Sequence, residues 1–135
     1  MTDKLNLIPI GYVRSILKDR STAPRQAQEQ APSARLEILA EFAQAAEAIR
    51  TGDDLWLFTW LHQSRRSTLQ VHPRSDLGNP LTGVFSTRSP DRPNPIGLHR
   101  VLVTAVGAGW IDVNNLEAID GTPILDIKPV LAAER

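Results

Sequence analysis

Residues 98–113 read LHRVLVTAVGAGWIDV, and their pattern sets the fold class. Over 98–106 the side chains alternate with the two-residue period of a strand. Gly107-Ala108-Gly109 supplies a turn, and 110–113 returns as a partner strand. Toward the C-terminus, Asp120-Gly121 marks another turn and 123–127 (PILDI) a last strand. Toward the N-terminus, 82–85 opens a strand. Further back, 55–61 (LWLFTWL) is a nearly continuous apolar run between turn signals. That run reads as a strand covered on both faces, which in a small domain takes a helix or a partner subunit. Residues 5–13 read as a first strand, and 35–39 fits either a strand or the start of a helix. Leu36, Leu39, Phe42, Ala43, Ala46 and Ile49 share one helical face, and Thr51-Gly52 ends that element. Many short strands around one helix predict a mainly-β fold. We expect a small β-barrel with one α-helix (about residues 41–50) and long functional loops, in a single domain over 1–135.

The chain of 135 residues is 41% apolar, enough for one packed core. Its longest uninterrupted apolar run, 55–58, is far short of the roughly 20 residues of a bilayer-spanning helix. The start, MTDKLNLIPI, shows no secretory signal pattern, and a cytoplasmic location is expected. There are no cysteines, which removes disulfides, thiolate metal sites and thiol nucleophiles. Net charge is zero, so the total does not mark a strongly basic nucleic-acid binder. The distribution is uneven: between Trp60 and Arg100 lie Arg65, Arg66, Arg74, Arg88, Arg92 and Arg100 against Asp76 and Asp91 alone. Arginine predominates among the cations, and its planar fork suits carboxylates, phosphates and base edges.

Within that basic stretch, 83–97 reads GVFSTRSPDRPNPIG. Pro90, Pro93 and Pro95 fix their own φ angles and hold Ser89, Arg92 and Asn94 extended. The loop is therefore stiff, and its polar side chains are ordered at low entropic cost, as in a preorganised site. Gly83 and Gly97 bracket it and permit a turn or a close approach. His62-Gln63 follows the apolar strand directly, where a strand end can present hydrogen-bonding groups to a ligand. Pro24-Arg25-Gln26 sits in a long polar loop, 14–32. Asn114 to Pro123 (NNLEAIDGTP) offers amides, carboxylates and a tight turn. No dinucleotide glycine fingerprint, phosphate loop or zinc-protease motif is present. His62, His72 and His99 are too far apart in sequence for a local metal motif, and no metal is expected.

Taken together, IGYVRS at 10–15, PRQ at 24–26, LWLFTWLHQ at 55–63, GVFSTRSPDRPNPIGL at 83–98 and DGTPILDIKP at 120–129 resemble the TsaA-like (TrmO, YaeB-like) family of S-adenosylmethionine-dependent tRNA methyltransferases, in a short form. The resemblance implies a β-barrel methyltransferase working as a homodimer, with S-adenosyl-L-methionine near the subunit interface. It implies cofactor contacts at Pro24, Arg25 and Gln26, at His62 and Gln63, at Arg88 and Leu98, and at Asn114, Asn115, Leu116 and Glu117. The implied acceptor is the exocyclic amine of threonylcarbamoyl-adenosine next to the tRNA anticodon. Arg65, Arg66, Arg92, Asn94 and Asp120 are candidates for substrate contact. Asp91, Glu117 and Asp120 are the available carboxylates, and none is singled out as a catalytic base. Longer members of the family carry an additional C-terminal domain. Glu117 and Val130 stand where many members have Asp and Tyr. Methyl transfer to another RNA or a small molecule, and a non-catalytic S-adenosylmethionine-binding module, remain open on the same residues.

Overall fold

The protein is described by a computed structural model covering residues 4–21 and 31–135. Among the described residues there are eight strands: β1 (Gly11–Arg14), β2 (Ala34–Ile38), β3 (Asp54–Trp60), β4 (Gln70–Val71), β5 (Thr82–Gly83), β6 (Ile96–Gly107), β7 (Trp110–Val113) and β8 (Pro123–Pro129). Six of them close into an antiparallel barrel in the order β1-β2-β7-β6-β3-β8, and β4 and β5 form a separate two-stranded ribbon. Closure leaves the barrel strands no unpaired edge.

The alternation that predicts β6 is the alternation that fills the barrel. Val101 and Val103 point inward with Gly97 and His99, whereas Leu98, Arg100 and Leu102 point outward. Val13, Leu36, Leu57, Val113, Leu116 and Ile124 join them in a core almost wholly removed from water. The ambiguous stretch 35–39 resolves as strand. Leu36 and Ile38 face the core, and the backbone pairs with β1 on one side and β7 on the other. The expected first strand shortens: ladder pairing starts at Ile10 and Gly11, and Leu5, Leu7 and Ile8 are exposed. The helix expected over about 41–50 is a 3₁₀ helix, Ala40–Ala46. Its link closes with i→i−3 bonds, Phe42 N–H to the Leu39 carbonyl and Ile49 N–H to that of Ala46. Phe42, Ala46 and Ile49 cap the barrel from a segment too short to need more turns. The strand expected over 82–85 is confined to β5, because Val84–Ser86 turns into a 3₁₀ helix.

The antiparallel order separates two barrel ends. The link 39–53 and the tight turn between β6 and β7 lie at one end. The three long crossovers, 15–33, 61–95 and 114–122, all emerge at the other, where β1, β3 and β7 finish and β2, β6 and β8 begin. The described candidate contact residues belong to these crossovers, apart from Leu98 near the start of β6.

Candidate functional site at one end of the barrel

The 61–66 turn and the proline loop are joined rung by rung. Leu61 N–H donates to the Pro95 carbonyl at 2.8 Å, and Arg92 N–H to the Arg65 carbonyl at 3.0 Å. Arg65 N–H donates to Asp91 Oδ1 at 2.8 Å. Arg66 donates through Nε to the Pro93 carbonyl and through Nη2 to Asn94 Oδ1, and its guanidinium lies over the Trp60 ring at 5.1 Å. Arg92 turns back onto the carbonyls of Thr87 and Ser89. Side-chain anchors therefore add to the stiffness that three prolines impose. Arg66 and Arg92 spend hydrogen bonds on neutral carbonyl and amide oxygens, so their positive charge is not cancelled by those contacts.

Asp91 is the central anchor, bridged by Arg20 Nη1 at 3.0 Å. Burial pushes its carboxyl up, but the hydrogen bonds from Arg20 and from the Arg65 N–H, with the charges of both arginines, outweigh burial and hold it below the usual aspartate value. Arg20 also donates to the Gln63 carbonyl, so the first crossover is tied to the second. Pro24, Arg25 and Gln26 lie outside the described residues. His62 and Gln63 are exposed at the end of β3, with side chains that make no hydrogen bond among the described residues. Arg88 is exposed and makes none either. These free groups are what an anionic or polar ligand requires.

The third crossover divides its duties. Asn114 Oδ1 accepts the Leu102 N–H at 2.9 Å and continues the strand ladder with a side chain. Asn115 is exposed, with φ of 42°, a left-handed value that Asn tolerates. Leu116 fills the core, wholly buried, and its N–H donates to the Pro32 carbonyl at 2.9 Å. Asp120 accepts the Ser15 N–H at 2.9 Å and pairs with Lys18. The Ser15 hydrogen bond leads in holding its carboxyl below the usual value, against burial and with help from Lys18. Asp91 and Asp120 are thus fully engaged in holding loops.

Glu117 reaches into the barrel. His99 Nδ1 donates to its Oε1, and His99 Nε2 lies 2.7 Å from Thr59 Oγ1. His99 is 5% exposed, Thr59 is wholly buried, and Glu117 Oε2 is buried with no hydrogen-bond partner among the described residues. Carboxylate, imidazole and hydroxyl in series have the order of a hydrolase triad. Here the hydroxyl is sealed beneath Gly97, where no substrate reaches it, so nucleophilic attack from Thr59 is excluded.

Leu98 projects to the outer barrel face, not toward His99. It lines an apolar groove with Trp56, Phe58, Pro129 and Leu131. The run 55–61 thus buries one face in the barrel and leaves Trp56, Phe58 and Trp60 half-buried on the other. Sequence reading overlooked Thr59, His99, Arg20 and the anchoring role of Asp91. The period of β6 carries the signal for His99, because it places that residue on the same face as Val101 and Val103. No group of His, Asp and Glu suited to a metal ion occurs among the described residues. No helix among them is long and apolar enough to cross a membrane.

Residues 12–133 match the family model described as the tRNA-methyltransferase O N-terminal domain. The chain is 39% identical over 127 residues to a Methanothermobacter thermautotrophicus protein named "Probable S-adenosyl-L-methionine-binding protein", covering 93% of this chain and 90% of that one. It is 37% identical over 122 residues to an "S-adenosyl-L-methionine-binding protein" of Archaeoglobus fulgidus, covering 90% and 86%. Two crystal structures of TrmO from Pseudomonas aeruginosa superpose with TM-scores of 0.77 and 0.75 at 33% and 30% identity. The match covers 98% and 97% of this chain, which spans only 57% and 58% of theirs.

Proposed function

The chain belongs to the tRNA-methyltransferase O N-terminal-domain family, and from that membership we propose that it binds S-adenosyl-L-methionine at the loop-bearing barrel end and methylates the exocyclic amine of threonylcarbamoyl-adenosine beside the tRNA anticodon. The observation that carries the reading is that the described candidate contacts lie in or beside the crossovers of that one end.

The donor set fits the cofactor's chemistry. Arg88 has an unspent guanidinium for a carboxylate, which it can grip with two parallel bonds. Gln63 and Asn115 have exposed amides that can read an adenine edge, and Leu98 offers an apolar cover. S-adenosylmethionine, when bound, supplies a methyl group made electrophilic by its sulfonium. The chain's part is to orient the two reactants in line and to exclude water, which rigid loops do well. Asp91 and Asp120 are committed to loop anchoring and Glu117 to His99. We therefore assign no general base, and the acceptor's proton passes to solvent.

The same reading makes the protein a homodimer through the outer face of β3, β6 and β8. Half-buried Trp56, Phe58 and Trp60 beside the apolar groove support that surface. Light scattering at micromolar concentration should give twice the chain mass; a monomer mass would contradict it.

A methyl-transfer assay on tRNA that lacks methylated threonylcarbamoyl-adenosine tests the activity. Transfer is expected, with tRNA affinity falling steeply as salt rises. Intact, cofactor-bound protein that leaves this tRNA unmodified would overturn the acceptor. Turnover with another RNA or a small molecule would then identify the true one, and absence of any turnover would leave a binding module.

A further inference from the structure

The chain Thr59–His99–Glu117 is a poor choice for core stability alone. Buried polar groups cost free energy unless each is bonded, and Glu117 Oε2 has no donor among the described residues. The position of the trio accounts for it better. Thr59 lies in β3, three residues before His62. His99 follows Leu98 in β6, and Glu117 closes the 114–117 stretch. One imidazole in β6 therefore joins β3 to the 114–117 stretch.

We propose that His99 is a positioning residue of the ligand pocket: it fixes the Glu117 carboxylate, and with it the 114–117 backbone, against β3 and β6. The proposal rests on the reading of this barrel end as the S-adenosylmethionine pocket. With Nδ1–H donating to Glu117, Nε2 is left as an acceptor, and the Thr59 hydroxyl donates to it. The Glu117 carboxylate, which only accepts, thereby selects the tautomer, and Thr59 helps to fix the ring orientation. Gly97 makes room for the arrangement, because a Cβ there would overlap Thr59 Oγ1 and His99 Nε2. The glycine that ends the proline loop thus admits the imidazole that holds the opposite loop.

Two substitutions separate positioning from bulk. In His99→Asn an amide N–H takes nearly the place of Nδ1–H and keeps the donor to Glu117. His99→Leu keeps comparable volume and removes it. S-adenosylmethionine is titrated calorimetrically into the full chain and each variant, with thermal melts recorded alongside. His99→Leu should bind about tenfold more weakly or worse, the loss typical of removing a group that orients a ligand-binding side chain. His99→Asn should stay within about threefold of the parent, since one retained hydrogen bond is most of the difference. Ring nitrogen shifts of the parent protein should report the Nδ1-protonated tautomer.

Equal affinity in the parent and His99→Leu, or equal loss in both variants, would overturn the proposal, as would a role visible only in melting temperature. Should His99→Leu fail to fold, Thr59→Val, which removes the hydroxyl partner of His99 Nε2, carries the same comparison: weaker binding supports positioning and unchanged binding refutes it. A parent protein that binds no S-adenosylmethionine would instead overturn the pocket reading, and the proposal with it.

Discussion

Arg66 donates to the side-chain carbonyl of Asn94 at 2.9 Å and joins the turn after β3 to the proline loop. The same guanidinium holds the Pro93 carbonyl at 2.7 Å and covers Trp60. Such a planar, three-way contact is not reproduced by an ammonium. Arg66→Lys should therefore behave more like Arg66→Ala than like the parent. Both should lose about 1 kcal/mol, the usual worth of a partly exposed charge-assisted pair, and both should weaken ligand binding by loosening 91–95. Chemical denaturation with calorimetric titration checks this; a Lys variant equal to the parent in both would contradict it.

Asp91 makes the proline loop sensitive to acid. Its carboxyl is held below the usual aspartate value in the folded chain: burial raises it, but Arg20 and the Arg65 N–H outweigh that. Between the two values the unfolded chain binds the proton and the folded chain does not, so stability falls as pH falls. The Asp91 contribution should be fully present above about pH 4, the ordinary aspartate range, and should disappear as pH drops through the lower folded value. Asp91→Asn should thus melt below the parent at pH 7, by about 3 °C if the anchors are worth 1 kcal/mol. The gap should close at strongly acid pH. A gap independent of pH would assign the effect to shape and not to charge.

The barrel was legible because its signal is local. The two-residue period of 96–107 and the turn at 107–109 follow from side chains adjacent in sequence. Strand 34–38 was ambiguous because Leu36 shares a strand face with Ile38 and a helical face with Leu39, and only pairing with β1 and β7 decides between them. The stiffness of 83–97 was legible from its prolines, but its anchors were not. Arg20 and Asp91 are 71 residues apart, and no spacing rule reaches across that distance. For the same reason the loop-holding hydrogen bonds of Arg66, Arg92, Asn94 and Asp120, which read only as candidate contacts for a substrate, were not legible. Glu117 read as an available carboxylate and an implied cofactor contact, and its bond to His99 was hidden because only barrel closure places the two side by side.

Arg88 stands apart from its neighbours in this respect. It is exposed and makes no hydrogen bond or ion pair among the described residues. Its removal should leave stability within about 0.5 kcal/mol of the parent, as for other uninvolved surface positions. A charged, bidentate ligand contact is worth about 1.5–3 kcal/mol, so S-adenosylmethionine affinity should drop at least tenfold in Arg88→Ala. Arg88→Lys should recover only part of it. Unchanged affinity by calorimetry would remove Arg88 from the site.

The two glycines that bracket the proline loop look equivalent in sequence, and the structure separates them. At Gly83, φ is −59° and an added Cβ meets nothing within 4 Å. Gly83→Ala should be neutral, or stabilising by about 0.4–1 kcal/mol because the unfolded chain loses freedom. At Gly97 the obstacle is space. An added Cβ falls against Thr59 Oγ1 and His99 Nε2, with Leu61 Cδ2 at 3.1 Å, and all three are hemmed in by the barrel wall. Gly97→Ala should therefore cost about 1–3 kcal/mol, the range for forcing a methyl group into a packed interior. It should also displace the imidazole from Glu117, so cofactor affinity should fall together with stability. Gly97→Ala combined with Thr59→Ala, which clears one of the three obstructions, should recover part of the stability without restoring affinity. Equal melting temperatures for Gly83→Ala and Gly97→Ala would show that the imidazole does not need the space Gly97 leaves.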